Sequence, residues 1–326
     1  GRDEADFQAI QEEEGYLQSA QMGGYHELAW FHYNDKEQMF DGHSYNKGGR
    51  ILHMLRNYLG DEAFFKGLNI YLTSNKFKAA EVHNLRMAFE EVSGEDLNWF
   101  FDQWMETTKT IDYKVMKYKL IKASKSDQQY QYAIQFKRKG DMQMPLDVTV
   151  TDKANQTYEY IVPNTYFVKP ENRVALKTWK GWGLLNQTYT DTIQLKHPIK
   201  AIVIDTTNRL ADVYRMDNVR VKNAYKLPMV FKLNKGIAPT SSFNYRNGSW
   251  SPDLWFNAVD GFKIGVNTHF EYVKVKHVFD WSIWYNSGIG AEQNYSSSVR
   301  KPLSYALSYS NLVGKDAFIY WNTKFL

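Results

Sequence analysis

The sequence contains no cysteine among its 326 residues. This absence excludes a disulfide framework, a thiol nucleophile and a cysteine-ligated zinc site. Long apolar runs are also missing, and none approaches the ~20 residues that a membrane-spanning helix needs. Lysine and arginine total 40 against 36 acidic residues and are spread along the chain, so nothing indicates a nucleic-acid partner.

Aromatic residues are plentiful, at 16% of the chain. Such a composition, with 43% hydrophobic residues, is that of a folded protein, and the length predicts two or three domains. The first residues, Gly1–Asp6, are acidic and lack the pattern of a signal peptide. We therefore expect the sequence to continue a longer protein.

The first third of the chain has the apolar spacing of helices. After Lys47 apolar residues recur three or four positions apart, Gly60 predicts a stop, and Asp61 predicts a cap for the next helix. The same spacing predicts further helices at about residues 64–72, 82–92 and 97–104, and Ser93-Gly94 predicts the end of the second of these. The sequence therefore predicts consecutive helices up to about Thr107.

From Ile111 onward apolar and polar residues alternate, which is the period of a strand with one buried face. About seven such runs up to Ile204 fit an immunoglobulin-like β-sandwich. Beyond Lys226 the runs reach about ten residues with aromatic residues near their ends, as in up-and-down or outer-membrane barrels. Four or so strands form only part of a barrel, because closure takes about eight. A second soluble β-domain with aromatic packing is the alternative.

Two histidine-containing patterns invite a catalytic interpretation that their spacing does not support. His26, followed by a glutamate, and His32 lie six residues apart, whereas helical histidines that share a zinc ion lie four apart. Asp41, His43 and Ser44 are the residue types of a hydrolase triad, but neighbours in a loop seldom face one another. We expect no shared metal at the histidines, and we expect the Asp41 segment to cap the helix that follows.

The segment Asp41–Gly60 carries a more specific signal, with Tyr45, Lys47 and Gly48 in a Tyr-x-Lys-Gly stretch. It resembles zinc aminopeptidases of the alanyl aminopeptidase and leukotriene hydrolase type, the gluzincins. The resemblance continues through Gly-Asp-Glu-Ala-Phe-Phe and Phe-Glu-Glu-Val-Ser-Gly to Leu-Asn-Trp-Phe-Phe-Asp-Gln-Trp. It is strongest from Met39 to Trp104, where residues match in order and spacing.

The resemblance implies a catalytic role for Tyr45. In that family its phenol would donate a hydrogen bond to the oxyanion of the tetrahedral intermediate, opposite the zinc ion. A phenol keeps its proton at neutral pH, and such a donor supplies roughly 3 kcal/mol of transition-state stabilisation. Lys47 and Gly48 are expected to serve backbone geometry and helix entry.

The resemblance also implies residues that this sequence does not contain. Family members carry His-Glu-x-x-His and a further glutamate, which supply three zinc ligands and a general base, and a glycine-rich motif for the free amine of the substrate. None of these motifs occurs in the 326 residues. We therefore expect zinc in the full-length parent, no metal ligand in this chain alone, and peptides as the substrate.

The predicted fold class is α+β and multidomain. Residues 1–108 are predicted as the helical C-terminal part of a gluzincin catalytic domain, 109–222 as an immunoglobulin-like β-sandwich, and 223–326 as an aromatic-rich, antiparallel, partial barrel-like region. The last region resembles the Trp-rich β-region of envelope-associated bacterial members, which implies a periplasmic or outer-membrane location. The alternatives are a non-catalytic peptide- or protein-binding relative and an envelope-anchoring β module.

Overall fold

The computed structural model describes residues 2–21, 26–29, 41–124, 129–164, 173–181, 184–221, 229–234, 245–272, 276–292, 301–313 and 317–325. Within these ranges the chain is α+β, with five α-helices and three sheets. The described helices include none that is long and apolar enough to cross a membrane. The chain divides into two compact units, Gly24–Lys226 and the pair of segments Gly1–Gly23 and Leu227–Leu326.

The helices confirm the predicted succession. They are α1 (Arg2–Gln21), α2 (Gly42–Leu59), α3 (Asp61–Ser74), α4 (Val82–Ser93) and α5 (Asn98–Met105). Gly60 and Gly94 end α2 and α4 with φ of 85° and 69°, a backbone conformation that residues with a Cβ rarely adopt. The two glycines therefore stop the helices where the sequence indicates.

The predicted cap at Asp61 is wrong. Gly60 occupies the N-cap position of α3, and Asp61 is the first helical residue. The Asp61 carboxylate instead accepts two hydrogen bonds from the guanidinium of Arg56, at 2.9 and 2.8 Å. A bidentate arginine engages both carboxylate oxygens, so the carboxylate does not turn back to cap the helix.

The core of the helical part is aromatic. Phe64 of α3 stacks on Phe89 of α4 with ring centroids 5.4 Å apart. Gly67 allows this approach, because a Cβ at its position would lie 2.5 Å from the Cδ1 of Phe89. In α5, Phe100 and Trp104 are fully buried. These contacts fix the short helices that follow α2.

Two sheets occupy residues 113–221. Their strands are β1 (Tyr113–Ser124), β2 (Gln129–Arg138), β3 (Leu146–Asp152), β4 (Thr157–Val162), β5 (Val174–Ala175), β6 (Thr188–Leu195), β7 (Ile199–Ile204) and β8 (Val219–Val221). One sheet has the order β1-β2-β6 and the other β5-β4-β3-β7-β8. Seven described strands, β1–β7, lie up to Ile204, where about seven were expected; β8 follows beyond that point, and the short β5 pairs in parallel with β4. The sandwich assignment and its boundaries stay predictions.

A third, six-stranded sheet lies near the C-terminus. Its strands, adjacent in chain order, are β9 (Met229–Leu233), β10 (Arg246–Asn257), β11 (Gly261–Tyr272), β12 (Lys276–Asn286), β13 (Leu303–Val313) and β14 (Ala317–Phe325). The prediction of an antiparallel region is wrong at β9, which runs parallel to β10. Two antiparallel strands can be joined by a tight hairpin, whereas two parallel strands need a connection of about a dozen residues. Residues 234–245, between β9 and β10, have that length.

A charged cluster ties β11 to β12. His269 Nδ1 lies 2.7 Å from Asp280 Oδ1, and His269 Nε2 lies 3.5 Å from Glu271 Oε2. Hydrogen bonds to Asp280 and then to Glu271 raise the pKa of His269 to about 10. The folded protein therefore holds this imidazole as a cation over most of the accessible pH range.

The raised pKa of His269 predicts a pH-dependent contribution to stability. Because the folded pKa exceeds that of an unfolded histidine, the contribution is complete below about pH 6.5 and is lost as the pH rises toward about 10. We expect the difference in melting temperature between the wild type and His269→Gln to shrink between pH 6 and pH 10. His83→Gln, at an exposed site on α4, is the control. A difference that stays constant with pH would contradict the assignment.

Candidate functional site

The predicted catalytic residue Tyr45 lies in the first turn of α2. Its amide donates a hydrogen bond to the carbonyl oxygen of Asp41 at 3.4 Å, so its backbone belongs to the helix. The side chain is 64% exposed. A phenol on a fixed backbone and open to solvent can donate a hydrogen bond to a ligand that arrives from outside.

Asp41 caps the helix that carries Tyr45. Its Oδ1 accepts a hydrogen bond from the amide of Ser44 at 2.7 Å, and its backbone is extended, with φ −92° and ψ 164°. Burial alone would raise the pKa of Asp41, but hydrogen bonds from Ser44 and His26 hold this pKa below its usual value. The expected capping role is thus confirmed. The side chain of His43, from the tempting triad pattern, lies outside the described residues.

His26 supports this cap from a distant part of the sequence. Its Nε2 lies 3.0 Å from Asp41 Oδ2, and its Nδ1 lies 2.7 Å from the carbonyl oxygen of Glu27. Both ring nitrogens therefore face oxygen acceptors. His32, its partner in the rejected zinc pattern, lies outside the described residues. No spacing signal links His26 to Asp41, so the sequence does not predict this contact.

The cap predicts a measurable stability effect. We expect Asp41→Ala to lower the free energy of unfolding by about 1 kcal/mol, because the Ser44 amide loses its acceptor at the helix terminus. Asp41→Asn is the matched control, since asparagine caps helices about as well as aspartate. Urea unfolding of both variants measures the difference. Equal losses in the two variants would show that the charge toward His26, rather than the cap, stabilises this segment.

Two buried cations hold α2 from the side away from Tyr45. Lys47 is fully buried, and its Nζ donates to the carbonyl oxygen of Thr107 at 3.0 Å. Arg50 is also buried, and its Nη2 lies 3.1, 3.3 and 3.2 Å from three successive backbone carbonyl oxygens, those of residues 208–210. At 100° per residue, these side chains project well away from that of Tyr45. The Lys47 side chain thus contacts the backbone of a residue 60 positions away, a contact that the sequence does not predict.

The loop that receives Arg50 is itself ordered by an aspartate. Asp205 accepts hydrogen bonds from the amides of Arg209 and Leu210, at 3.1 and 2.7 Å. Arg209 in turn donates to Asn57 Oδ1 on α2 at 2.8 Å. This loop and α2 therefore fix each other through polar contacts. Sequence reasoning missed them because the partners lie about 150 residues apart.

The zinc site that the resemblance implies has no counterpart among these residues. Across the described parts of the chain, no group of three or more histidine, aspartate or glutamate residues is placed to hold a metal ion. His26 uses both ring nitrogens in the contacts above. The described residues therefore do not fit a zinc ion, and no reaction step is assigned to one.

Comparison with known proteins places the first third of the chain. Residues 5–104 match the Peptidase family M1 domain. The chain is 45% identical over 62 residues to aminopeptidase N of Lactococcus lactis subsp. lactis, and 43% identical over 68 residues to aminopeptidase N of Streptomyces lividans. These alignments cover 19% and 21% of this chain.

The chain spans only 7% and 8% of the length of those two relatives. A solved structure of Legionella pneumophila aminopeptidase A in complex with aspartic acid aligns with 55% of this chain and 18% of its own chain, at 14% identity and a TM-score of 0.38. The family match and the two relatives together confirm the resemblance stated from the sequence. Residues 5–104 are therefore similar to the peptidase family M1 domain, and the relatives that match this part of the chain are aminopeptidases.

Proposed function

We propose that the protein containing this chain is a zinc-dependent aminopeptidase that removes N-terminal residues from peptides. We propose further that Tyr45 donates a hydrogen bond to the oxyanion of the tetrahedral intermediate. The observation that carries the proposal is the exposed Tyr45 side chain on the capped start of α2, inside residues 5–104 that match the family.

The chemistry of peptide hydrolysis explains what such a tyrosine does. When water attacks the scissile carbonyl group, the carbonyl oxygen gains negative charge. A hydrogen-bond donor that already points at this oxygen stabilises the transition state more than it stabilises the bound substrate. A phenol hydroxyl donates a weak hydrogen bond to the uncharged carbonyl oxygen and a stronger one to the oxyanion, because the acceptor then carries negative charge. A fixed backbone matters because reorientation at the moment of reaction would cost part of this stabilisation.

The residues around Tyr45 support the fixed geometry. Asp41 holds the N-terminus of α2, His26 orients Asp41, and Arg50 holds the other side of the helix. None of these three is proposed to touch the substrate. They are positioning residues, and their effect on the reaction passes through the position of Tyr45.

The test uses the protein expressed from its full reading frame. We expect it to hydrolyse aminoacyl p-nitroanilides but not their N-acetylated forms, because an aminopeptidase requires a free amine. A zinc chelator is expected to abolish the activity, and added Zn²⁺ to restore it. A protein that binds peptides without turnover would contradict the proposal and favour the non-catalytic relative. An activity that is insensitive to chelation would contradict the proposed zinc dependence.

A further inference from the structure

The six-stranded sheet exposes many apolar side chains and buries many polar ones. In a soluble globular protein the arrangement is the reverse, with the apolar side chains of a sheet buried in the core. On one face, fifteen large apolar side chains in the described strands are exposed: Met229, Phe231, Leu233, Trp250, Leu254, Phe256, Phe262, Ile264, Val266, Trp281, Ile283, Tyr285, Leu303, Tyr305 and Trp321. We name this set the apolar face. Contiguous apolar surface of this extent is unusual on a soluble monomer, where patches rarely exceed a few hundred Å².

The strand register places these residues side by side. Val266 of β11 lies opposite Pro252 of β10 and Ile283 of β12, and Ile283 lies opposite Tyr305 of β13. Because side chains alternate along a strand, a shift by one residue would move the whole set to the other side. The same parity holds in all these pairings, so the apolar face is continuous across the sheet.

The opposite face has a network of paired polar groups. Lys263 is fully buried, and its Nζ lies 2.8 Å from Asp260 Oδ2, donates to Ser304 Oγ at 2.9 Å, and sits 4.6 Å from the ring centroid of Trp255. A buried lysine is tolerated only with such partners. The polar face therefore buries a charged side chain together with the groups that pair with it.

Two more contacts extend this polar interior. Trp284 Nε1 donates to Asp253 Oδ2 at 2.9 Å, and Asn267 Nδ2 donates to Ser282 Oγ at 2.8 Å. The His269 cluster described above lies on the same face. Asp253, Lys263, His269 and Asp280 thus lie on the polar side, whereas Arg246, the first residue of β10, has the parity of the apolar face.

Along β10 and β11 the apolar face is aliphatic in its middle rows and aromatic toward both ends, while β12 and β13 add Tyr285 and Tyr305 to the middle rows. Leu254, Ile264 and Val266 occupy its middle rows. Aromatic pairs flank them, with Phe256 opposite Phe262 toward one end and Phe270 opposite Phe279 toward the other. Strands β10 to β13 have 11 or 12 residues, close to the ~9–11 that a tilted strand needs to cross hydrocarbon. Aromatic rows beside an aliphatic band are typical of surfaces that meet lipid.

We propose that the apolar face contacts the acyl chains of a lipid bilayer. A protein partner is the weaker candidate, because protein interfaces carry about one hydrogen bond per 100–200 Å² and a polar rim, whereas this face offers few polar side chains. Hydrocarbon cannot satisfy backbone groups at the edges β9 and β14, so the proposal requires that further strands pair with them. The inference does not depend on the proposed peptidase function, and it supports the expected cell-envelope location.

Vesicle flotation tests the proposal. The full-length protein is reconstituted with phosphatidylethanolamine–phosphatidylglycerol vesicles (3:1), and we expect it to float with them. The double variant Val266→Arg/Ile283→Arg is expected to float at least tenfold less, because it adds two charges at the centre of the apolar face. The control is Leu72→Arg, which alters an apolar side chain on α3 that is 59% exposed.

The outcomes of flotation are decisive in both directions. A wild type that remains soluble without lipid overturns the proposal, as does a double variant that floats like the wild type. Formation of a soluble dimer that the two arginines disrupt would overturn it in favour of a second copy of this chain. Loss of flotation in the Leu72→Arg control would show that the assay reports general instability, and would also count against the proposal.

Quenching by lipids brominated on their acyl chains gives an independent readout that survives partial misfolding elsewhere. Trp281 belongs to the apolar face, whereas Trp284, three residues further on β12, faces the polar side. We measure the fraction of the tryptophan fluorescence that brominated lipid quenches. We expect Trp281→Phe to lower this fraction and Trp284→Phe to leave it unchanged. Equal effects of the two variants, or a larger effect at Trp284, would overturn the assignment of the apolar face to lipid.

Discussion

Replacement of Tyr45 by phenylalanine is expected to lower kcat by roughly 10²–10³-fold in the full-length protein. The change removes only the hydroxyl, which the proposed mechanism places against the oxyanion. Because this contact strengthens in the transition state, kcat should fall while KM changes little. Tyr45 is 64% exposed, so we expect the melting temperature to remain that of the wild type. Steady-state kinetics on an aminoacyl p-nitroanilide measures the effect.

Two controls separate catalysis from structural damage in this experiment. Tyr71→Phe makes the same chemical change on the neighbouring helix α3 and should leave kcat unaltered. Zinc content, measured on the purified Tyr45→Phe protein, should equal that of the wild type. An unchanged kcat would remove Tyr45 from the mechanism, and a fall in zinc content would assign the loss to the metal site instead of the oxyanion.

Replacement of Arg50 by methionine is expected to lower the free energy of unfolding by about 1–3 kcal/mol. The buried guanidinium of Arg50 faces three successive carbonyl oxygens, those of residues 208–210. Methionine fills a similar volume but donates no hydrogen bond. The carbonyl oxygens of Asn208 and Leu210 keep Arg215 as a donor, whereas that of Arg209 loses its contact with Arg50, and such a loss inside the protein is costly. Urea unfolding, monitored by circular dichroism, measures the change.

Arg56→Met is the matched control for this prediction. Arg56 lies on the same helix and pairs with Asp61, but both side chains are largely exposed. Exposed ion pairs contribute about 0–1 kcal/mol, because water replaces the lost contact. Arg50→Lys should fall between the two variants, since one ammonium group replaces a planar fork of donors. If Arg50→Met costs no more than Arg56→Met, water has access to the carbonyl groups and Arg50 does not fix α2.

Much of the local structure was predictable because its signals lie within a few residues of one another. The apolar spacing after Lys47, the stops at Gly60 and Gly94, and the alternation from Ile111 each determine an element through neighbouring side chains. The resemblance around Tyr45 is local in the same way. Asp61 was the exception, because Arg56 competes for its carboxylate.

The candidate site was predictable only in part. Tyr45 and the capping role of Asp41 follow from a short stretch of sequence. Two other contacts could not be predicted from such a stretch. His26 contacts Asp41 from 15 residues away, and Arg50 binds backbone carbonyl groups of a loop about 160 residues away. No periodicity connects such partners, because their meeting depends on how the whole chain closes.

The sequence by itself determined the order of helices and strands and the similarity of the first third to the peptidase family M1 domain. Only the tertiary structure decided that β9 runs parallel to β10, that α2 is held by Arg50, and which side of the last sheet is exposed. Alternation shows that a strand has two unlike faces, but it does not show which of them the rest of the fold covers. That choice depends on long-range packing, and here the covered face is the one that carries Lys263 and His269.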